Sequence, residues 1–363
     1  MKTIKLPLLF GAIMITAASC KKEETPEPVP TPPSGYTVPT TYNFSNVSYS
    51  GQTARILMLD SLSNYMKKAN NGALLDATVM KNMYSNTGNP FNNATLDNSG
   101  KQLKNKTYSA DQAYFDNLFD SVAVTSQSAT NVGSNGVAGI VTSNDNSKKY
   151  LFNRNGIQYN QLIKKHLMGA VFYYQAVEIY LANIPTNDNN TVVTGEGTVM
   201  EHSCDEAFGY LGVPLDFPTN TNGLMSWGEY IDEVNPKITS STPLMNAFLK
   251  LRAAISNKDN TTRDAQIIVV REQWERVVAA AAILELTDAK DSFADDAIRN
   301  TKLSEALGFI YSLKYNSNKK ISQTQIDAAV TALGTNFYNI SLSNIDSAIN
   351  TINSVYNFDL TKF

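Results

Sequence analysis

YNQLIKKHLMGAVFYYQAVEIYLA, residues 159–182, decides the fold. Leu167, Met168, Ala170, Val171, Phe172, Tyr173, Ala176, Val177, Ile179 and Leu181 leave almost no polar face, and a helix that is apolar nearly all round is buried at the centre of a bundle. The chain on either side also reads as helix. Upstream, Ile56, Leu59, Leu62 and Met66 recur at three- and four-residue intervals, and shorter helices are expected over 74–83 and 114–122. Downstream, Ile267, Val270, Trp274, Val277, Val278 and Ala281 line one helical face, with Arg271/Glu275 and Glu272/Arg276 expected to pair on the other. Thr242-Pro243, the Ser322/Gln325 capping box with Gly334 as its stop, and Ser343/Asp346 are the helix-boundary signals. Asn-, Gly- and Ser-rich tracts at 86–100 and 125–147 read as long loops, and no run alternates as a strand would. The expected class is all-α, a helical bundle.

The N-terminus predicts where the protein resides. Lys2 and Lys5 precede an apolar run, Leu6 to Ala18, that is too short to span a bilayer, and Ala17-Ala18-Ser19 set small residues before Cys20. This reads as a lipoprotein signal peptide over 1–19, with Cys20 acylated after cleavage. Residues 20–41 carry Pro26, Pro28, Pro30, Pro32 and Pro33 and read as an extended tether, leaving 42–363 as one large helical domain. Lys21-Lys22-Glu23-Glu24 resembles a surface-export signal. An outer-membrane lipoprotein, facing the periplasm or the cell exterior, is therefore expected.

Composition narrows the function. Of 363 residues, 42% are hydrophobic, enough for a full core, and the formal charge of −3 is spread without blocks. No basic patch points to nucleic acid. With Cys20 committed to lipid, Cys204 stands alone and no intramolecular disulfide is possible. A local echo, Asp205-Glu206-Ala207-Phe208-Gly209-Tyr210-Leu211 against Ser304-Glu305-Ala306-Leu307-Gly308-Phe309-Ile310, suggests an internal duplication with halves near 42–230 and 231–363.

Only His166 and His202 are available for histidine chemistry. His202, Asp205 and Glu206 fall at i, i+3 and i+4, so one helical face offers an imidazole and two carboxylates, a set suited to a divalent metal or iron. The competing reading is acids complementing a helix start, with an arginine or lysine supplying the opposite charge. Glu178, paired with Gln175, and Glu305 are candidate additional ligands or buried polar partners. His166 and Glu178, twelve residues apart on one helix, are too distant to share an ion. His202 cannot activate Cys204, and no G-x-S-x-G, H-E-x-x-H, P-loop or G-x-G-x-x-G is present. Trp227 and Phe172-Tyr173-Tyr174 are candidate linings of a binding cleft.

Tyr42-Asn43-Phe44, Ser50-Gly51-Gln52, Lys165-His166-Leu167-Met168-Gly169-Ala170 and, above all, His202-Ser203-Cys204-Asp205-Glu206-Ala207-Phe208-Gly209-Tyr210-Leu211-Gly212-Val213-Pro214 resemble the Bacteroidetes lipoproteins grouped as domain of unknown function 4856. That group is in turn similar to the imelysin-like proteins, duplicated helical bundles associated with iron uptake that carry a histidine and, three residues later, a glutamate. The resemblance implies a site at His202-x-x-Asp205, with aspartate replacing that glutamate, while Thr301 and Ser304 stand where a second copy would need histidine and acid. The expected function is a non-enzymatic, metal- or iron-linked binding accessory, partnered with the membrane through its lipid and with an iron or nutrient transporter. The alternatives are a metal-free scaffold or nutrient- and glycan-binding lipoprotein, and a metallohydrolase.

Overall fold

A computed structural model describes residues 35–363. The signal peptide, Cys20 and the tether up to residue 34 lie outside the described residues. The end of the expected tether already touches the body: the Tyr36 hydroxyl donates to Asp259 at 3.0 Å and Val38 packs on the core.

The class is all-α, a bundle of helices. In chain order the main ones are α1 (Ser50–Lys67), α2 (Ala77–Ser85), α3 (Gln112–Ser126), α4 (Tyr159–Leu167), α5 (Val199–Gly209), α6 (Trp227–Glu233), α7 (Ser241–Ser256), α8 (Asn260–Asp291), α9 (Asp296–Ser312), α10 (Gln323–Leu333) and α11 (Leu342–Tyr356). As the all-round apolar pattern predicts, the helix beginning at α4 is buried, with Leu167, Met168, Val171, Phe172, Tyr173 and Val177 fully enclosed. Beyond Leu167, however, it is not an ordinary helix. Met168–Tyr173 and Gln175–Tyr180 are π-helical, a geometry that apolar periodicity does not report.

Three local expectations are corrected. First, the tract over 125–147 holds the first strand and the turn of a two-stranded antiparallel hairpin, Gly139–Thr142 with Lys149–Phe152, in register Gly139 to Phe152 and Thr142 to Lys149. Four-residue strands are too short to declare an alternation, and the Asn- and Ser-rich turn masks them. Second, the last helix opens at Ser341 rather than Ser343. The Ser341 and Asn344 side chains bond each other's backbone N–H, so Asn344 takes the place usually held by Glu, and Asp346 is left to pair with Lys290. Third, Arg271 and Glu275 do not form an outer-face pair. Both are buried; Glu275 accepts from the Tyr356 hydroxyl at 2.6 Å, the Lys320 N–H at 2.7 Å and Asn316 at 3.1 Å, while Arg271 turns toward the π-helical segment.

The echo glycines both stand at close approaches, although against different neighbours. A Cβ on Gly209 would lie 2.5 Å from the Tyr49 Cβ, and one on Gly308 would lie 2.9 Å from the Leu162 carbonyl oxygen on α4.

Candidate functional site

The face predicted for a metal lies on α5, which starts at a capping box between Thr198 and Glu201. Asp205 is completely buried. One of its oxygens accepts from the Tyr42 hydroxyl and from Arg252 Nε, each at 2.9 Å. Arg252 also reaches Glu201 at 2.6 Å and the Ser45 carbonyl at 3.2 Å, so the arginine is the cation of this face. Burial raises the Asp205 carboxyl to about 6, and Arg252 and the Tyr42 hydroxyl hold back part of that rise. Tyr42 stacks on Phe208 with ring centroids 3.7 Å apart and closes the site from above. Cys204 sits beside it, and burial pushes its thiol up to about 12, so it is not a nucleophile.

Glu206 points elsewhere. It accepts from Gln52 at 2.8 Å, and its other oxygen is 3.9 Å from His202 Nε2. His202, Asp205 and Glu206 therefore do not fit a metal as a set, because the aspartate is spent on Arg252 inside the fold while the other two stand half-buried. Glu305 and Glu178 do not join them. Glu305 pairs with Lys165 at 3.2 Å and accepts from Tyr230 at 3.2 Å, beside Glu285, whose carboxyl is pushed up by burial and by Glu305 itself. Glu178 does not pair with Gln175, which donates instead to the Lys106 carbonyl. Among the described residues no group of three or more His, Cys, Asp or Glu side chains is placed to hold a metal ion.

A different site gathers at the π-helical segment. A wide turn breaks the i→i+4 ladder and leaves carbonyls to be satisfied from outside the helix. Trp227 Nε1 donates to the Met168 carbonyl at 3.0 Å, the Tyr108 N–H to that of Ala170 at 2.9 Å, and Arg271 to that of Val177. The same segment requires glycine at 169, where a Cβ would lie 2.3 Å from the Ser312 Cβ. Trp227, Phe172 and Tyr173, expected as cleft linings, are fully buried instead. Tyr174 does line a cleft, together with Glu178 one turn on.

That cleft comprises two cavities, of about 550 and 270 Å³, that share Glu178 and Ser317. The smaller is walled by Tyr108, Tyr174 and Tyr315, whose rings meet edge to face at 5.2 to 6.4 Å. The larger runs over Arg271, Glu275 and Asn316. Glu178, its side chain 19% exposed, accepts from the Ser317 N–H at 2.9 Å and lies 3.8 Å from Arg271. Beneath the cleft, Arg271 Nε and the Tyr173 hydroxyl are buried without a hydrogen-bond partner.

His166 braces this wall. Its Nε2 is 2.7 Å from the Tyr315 hydroxyl, which donates to Asp111, and Asp111 in turn pairs with Lys314 at 2.8 Å. Burial, with Lys314 adding to it, lowers the imidazole well below the usual histidine range, so the ring is neutral. Because the tyrosine proton goes to Asp111, His166 must donate from Nε2. Tyr108, Lys314 and Tyr315 carried no motif; the only sequence signal was the aromatic run ending at Tyr174.

No curated protein and no solved structure matches the chain. A family model described as Domain of unknown function (DUF4856) matches residues 39–358, nearly the whole described body, and the chain belongs to that family.

Proposed function

We propose that the protein is a lipid-anchored, non-enzymatic binding accessory of the outer membrane or cell surface. It captures a small nutrient ligand in the tyrosine-walled cleft and presents it to an uptake transporter. The observation that carries this reading is the cleft itself: a helix at the centre of the bundle departs from α geometry where Tyr174 and Glu178 face open space, and π turns concentrate at functional sites. Its combined size suits a small ligand, and a few polar groups converge among aromatic walls.

The chemistry present supports binding over catalysis. Cys204 is sealed beside Asp205, and His166 is committed to Tyr315. The reading also needs no metal, since the buried Asp205 already has Arg252 as its cation. The anchor is supported by the residues around Cys20 alone, and a Cys20→Ser chain should move from the membrane pellet to the soluble fraction.

The decisive experiment is a thermal-shift and calorimetric panel on the body of the protein. Sugars, amino acids, short peptides and divalent or ferric ions are offered to wild type, Tyr108→Ala and Glu178→Gln. A ligand that stabilises wild type and loses at least tenfold in affinity in either variant supports the proposal. Ligands that bind all three forms equally, or a panel without a binder, refute it.

A further inference from the structure

We infer that the cleft is built for a neutral, polyhydroxylated ring, that is, a carbohydrate. This rests on the cleft being the binding site. Charge is one part of the argument for it. An anion entering the larger cavity would face Glu178, Glu272 and Glu275 against Arg271. A cation in the tyrosine cage would meet Lys314, whose ammonium already lies 5.1 Å from the centre of the Tyr315 ring, and would approach Arg271 beyond it. An ion of either sign therefore meets a like charge at one end of the cleft, and a neutral ligand does not.

The remaining groups match what a sugar offers. A hydroxyl both donates and accepts, so it can satisfy a carboxylate and a guanidinium together, and Glu178 and Arg271 stand 3.8 Å apart, too far for a strong direct bond. The guanidinium still holds a buried N–H without a partner, on a side chain 10% exposed at the cavity wall. Tyr108, 37% exposed, and Tyr174 present apolar ring faces beside these polar groups, and the C–H face of a pyranose covers such rings while its rim bonds outward. Acceptors and donors thus lie at one end and aromatic faces at the other, with Glu178 common to both cavities.

The test is calorimetry with neutral mono- to hexasaccharides of glucose, xylose and N-acetylglucosamine, alongside choline, acetate and inorganic phosphate. The variants are Tyr174→Ala, Tyr174→Phe and Glu178→Gln, each checked for unchanged circular dichroism. Expected is saturable binding of at least one saccharide series, weakened tenfold or more by Tyr174→Ala and by Glu178→Gln. Tyr174→Phe keeps the stacking face and should stay within threefold of wild type. Because the ligand is uncharged, its affinity should be flat between low salt and about 0.5 M. Cleft-dependent binding of choline, acetate or phosphate with no saccharide bound overturns the carbohydrate assignment and leaves the binding role standing. The absence of any probe whose affinity depends on Tyr174 or Glu178 overturns the carbohydrate assignment, and the binding role then falls with it if the wider panel above also yields no cleft-dependent ligand.

Discussion

Two arginine–carboxylate pairs stand in the same bundle. Asp205 and Arg252 bond at 2.9 Å and are closed in by Tyr42, Phe208 and Glu201; Glu178 and Arg271 stand 3.8 Å apart on the wall of a cleft. By residue type they are interchangeable. They differ in what is left over: the guanidinium of the first is spent on Glu201, Asp205, Ser45 and Ser256, whereas the second keeps a buried N–H without a partner. A guanidinium sealed among its partners is architecture, even though Asp205 keeps one buried oxygen without a hydrogen bond, and one with an N–H unspent beside open space is where a ligand can gain affinity.

The largest effect should follow from breaking the closed pair. Arg252→Ala leaves a carboxylate with no solvent access uncompensated, and it should cost about 3–5 kcal/mol in urea unfolding at pH 7, whereas Asp205→Leu combined with Arg252→Met should recover most of that loss. The pH dependence sharpens the point. With its folded value raised to about 6 from an ordinary 3.8, Asp205 keeps a proton that the unfolded chain has lost, so its contribution to stability falls as pH rises from about 4 to 6. Removing Arg252 raises that value further, and the deficit of Arg252→Ala should shrink between pH 7 and pH 5. A deficit that ignores pH would mean that lost packing, not stranded charge, is what the variant reports.

A smaller effect is expected at the open pair. Arg271→Ala removes the bond to the Val177 carbonyl, but Glu178 still reaches water and the Ser317 N–H, so the cost should be about 1–2 kcal/mol by the same measurement. Equal losses in the two arginine variants would erase the distinction between them. The smallest effect concerns His202. With Asp205 engaged by Arg252, His202→Ala should leave any affinity for ferric or divalent ions unchanged in calorimetry at neutral pH. A tenfold or larger drop would restore this face as a metal site.

What was legible in the sequence was local. Capping boxes declare themselves within four residues, and an all-apolar helix announces its own burial, so the class and the central helix follow from residues 159–182 and their flanks. The spacing of His202, Asp205 and Glu206 puts all three on α5, where Asp205 turns to Arg252 and Glu206 to Gln52. Its meaning depended on Arg252, 47 positions away, and nothing in the spacing says which cation will arrive. The cleft was hidden for a related reason. Tyr108, Tyr174 and Tyr315 come from three distant segments, and a 3.6-residue period assigns Tyr174 to the same core as Phe172 and Tyr173. The hairpin escaped because its strands are four residues long and the turn between them is polar.

The wide turns after Leu167 also make the cleft a matter of length. A π turn closes i→i+5 where an α turn closes i→i+4, so it accommodates one more residue in the same rise. Removing one residue between 168 and 173 would let the ladder close in the ordinary way and would rotate everything downstream about the helix axis. Tyr174 and Glu178 would no longer meet Tyr108 and Ser317, and the carbonyl that holds Tyr108 would be drawn back into the helix. In this fold the count of residues along one buried helix, more than the identity of any one of them, sets whether the tyrosine-walled cleft is present.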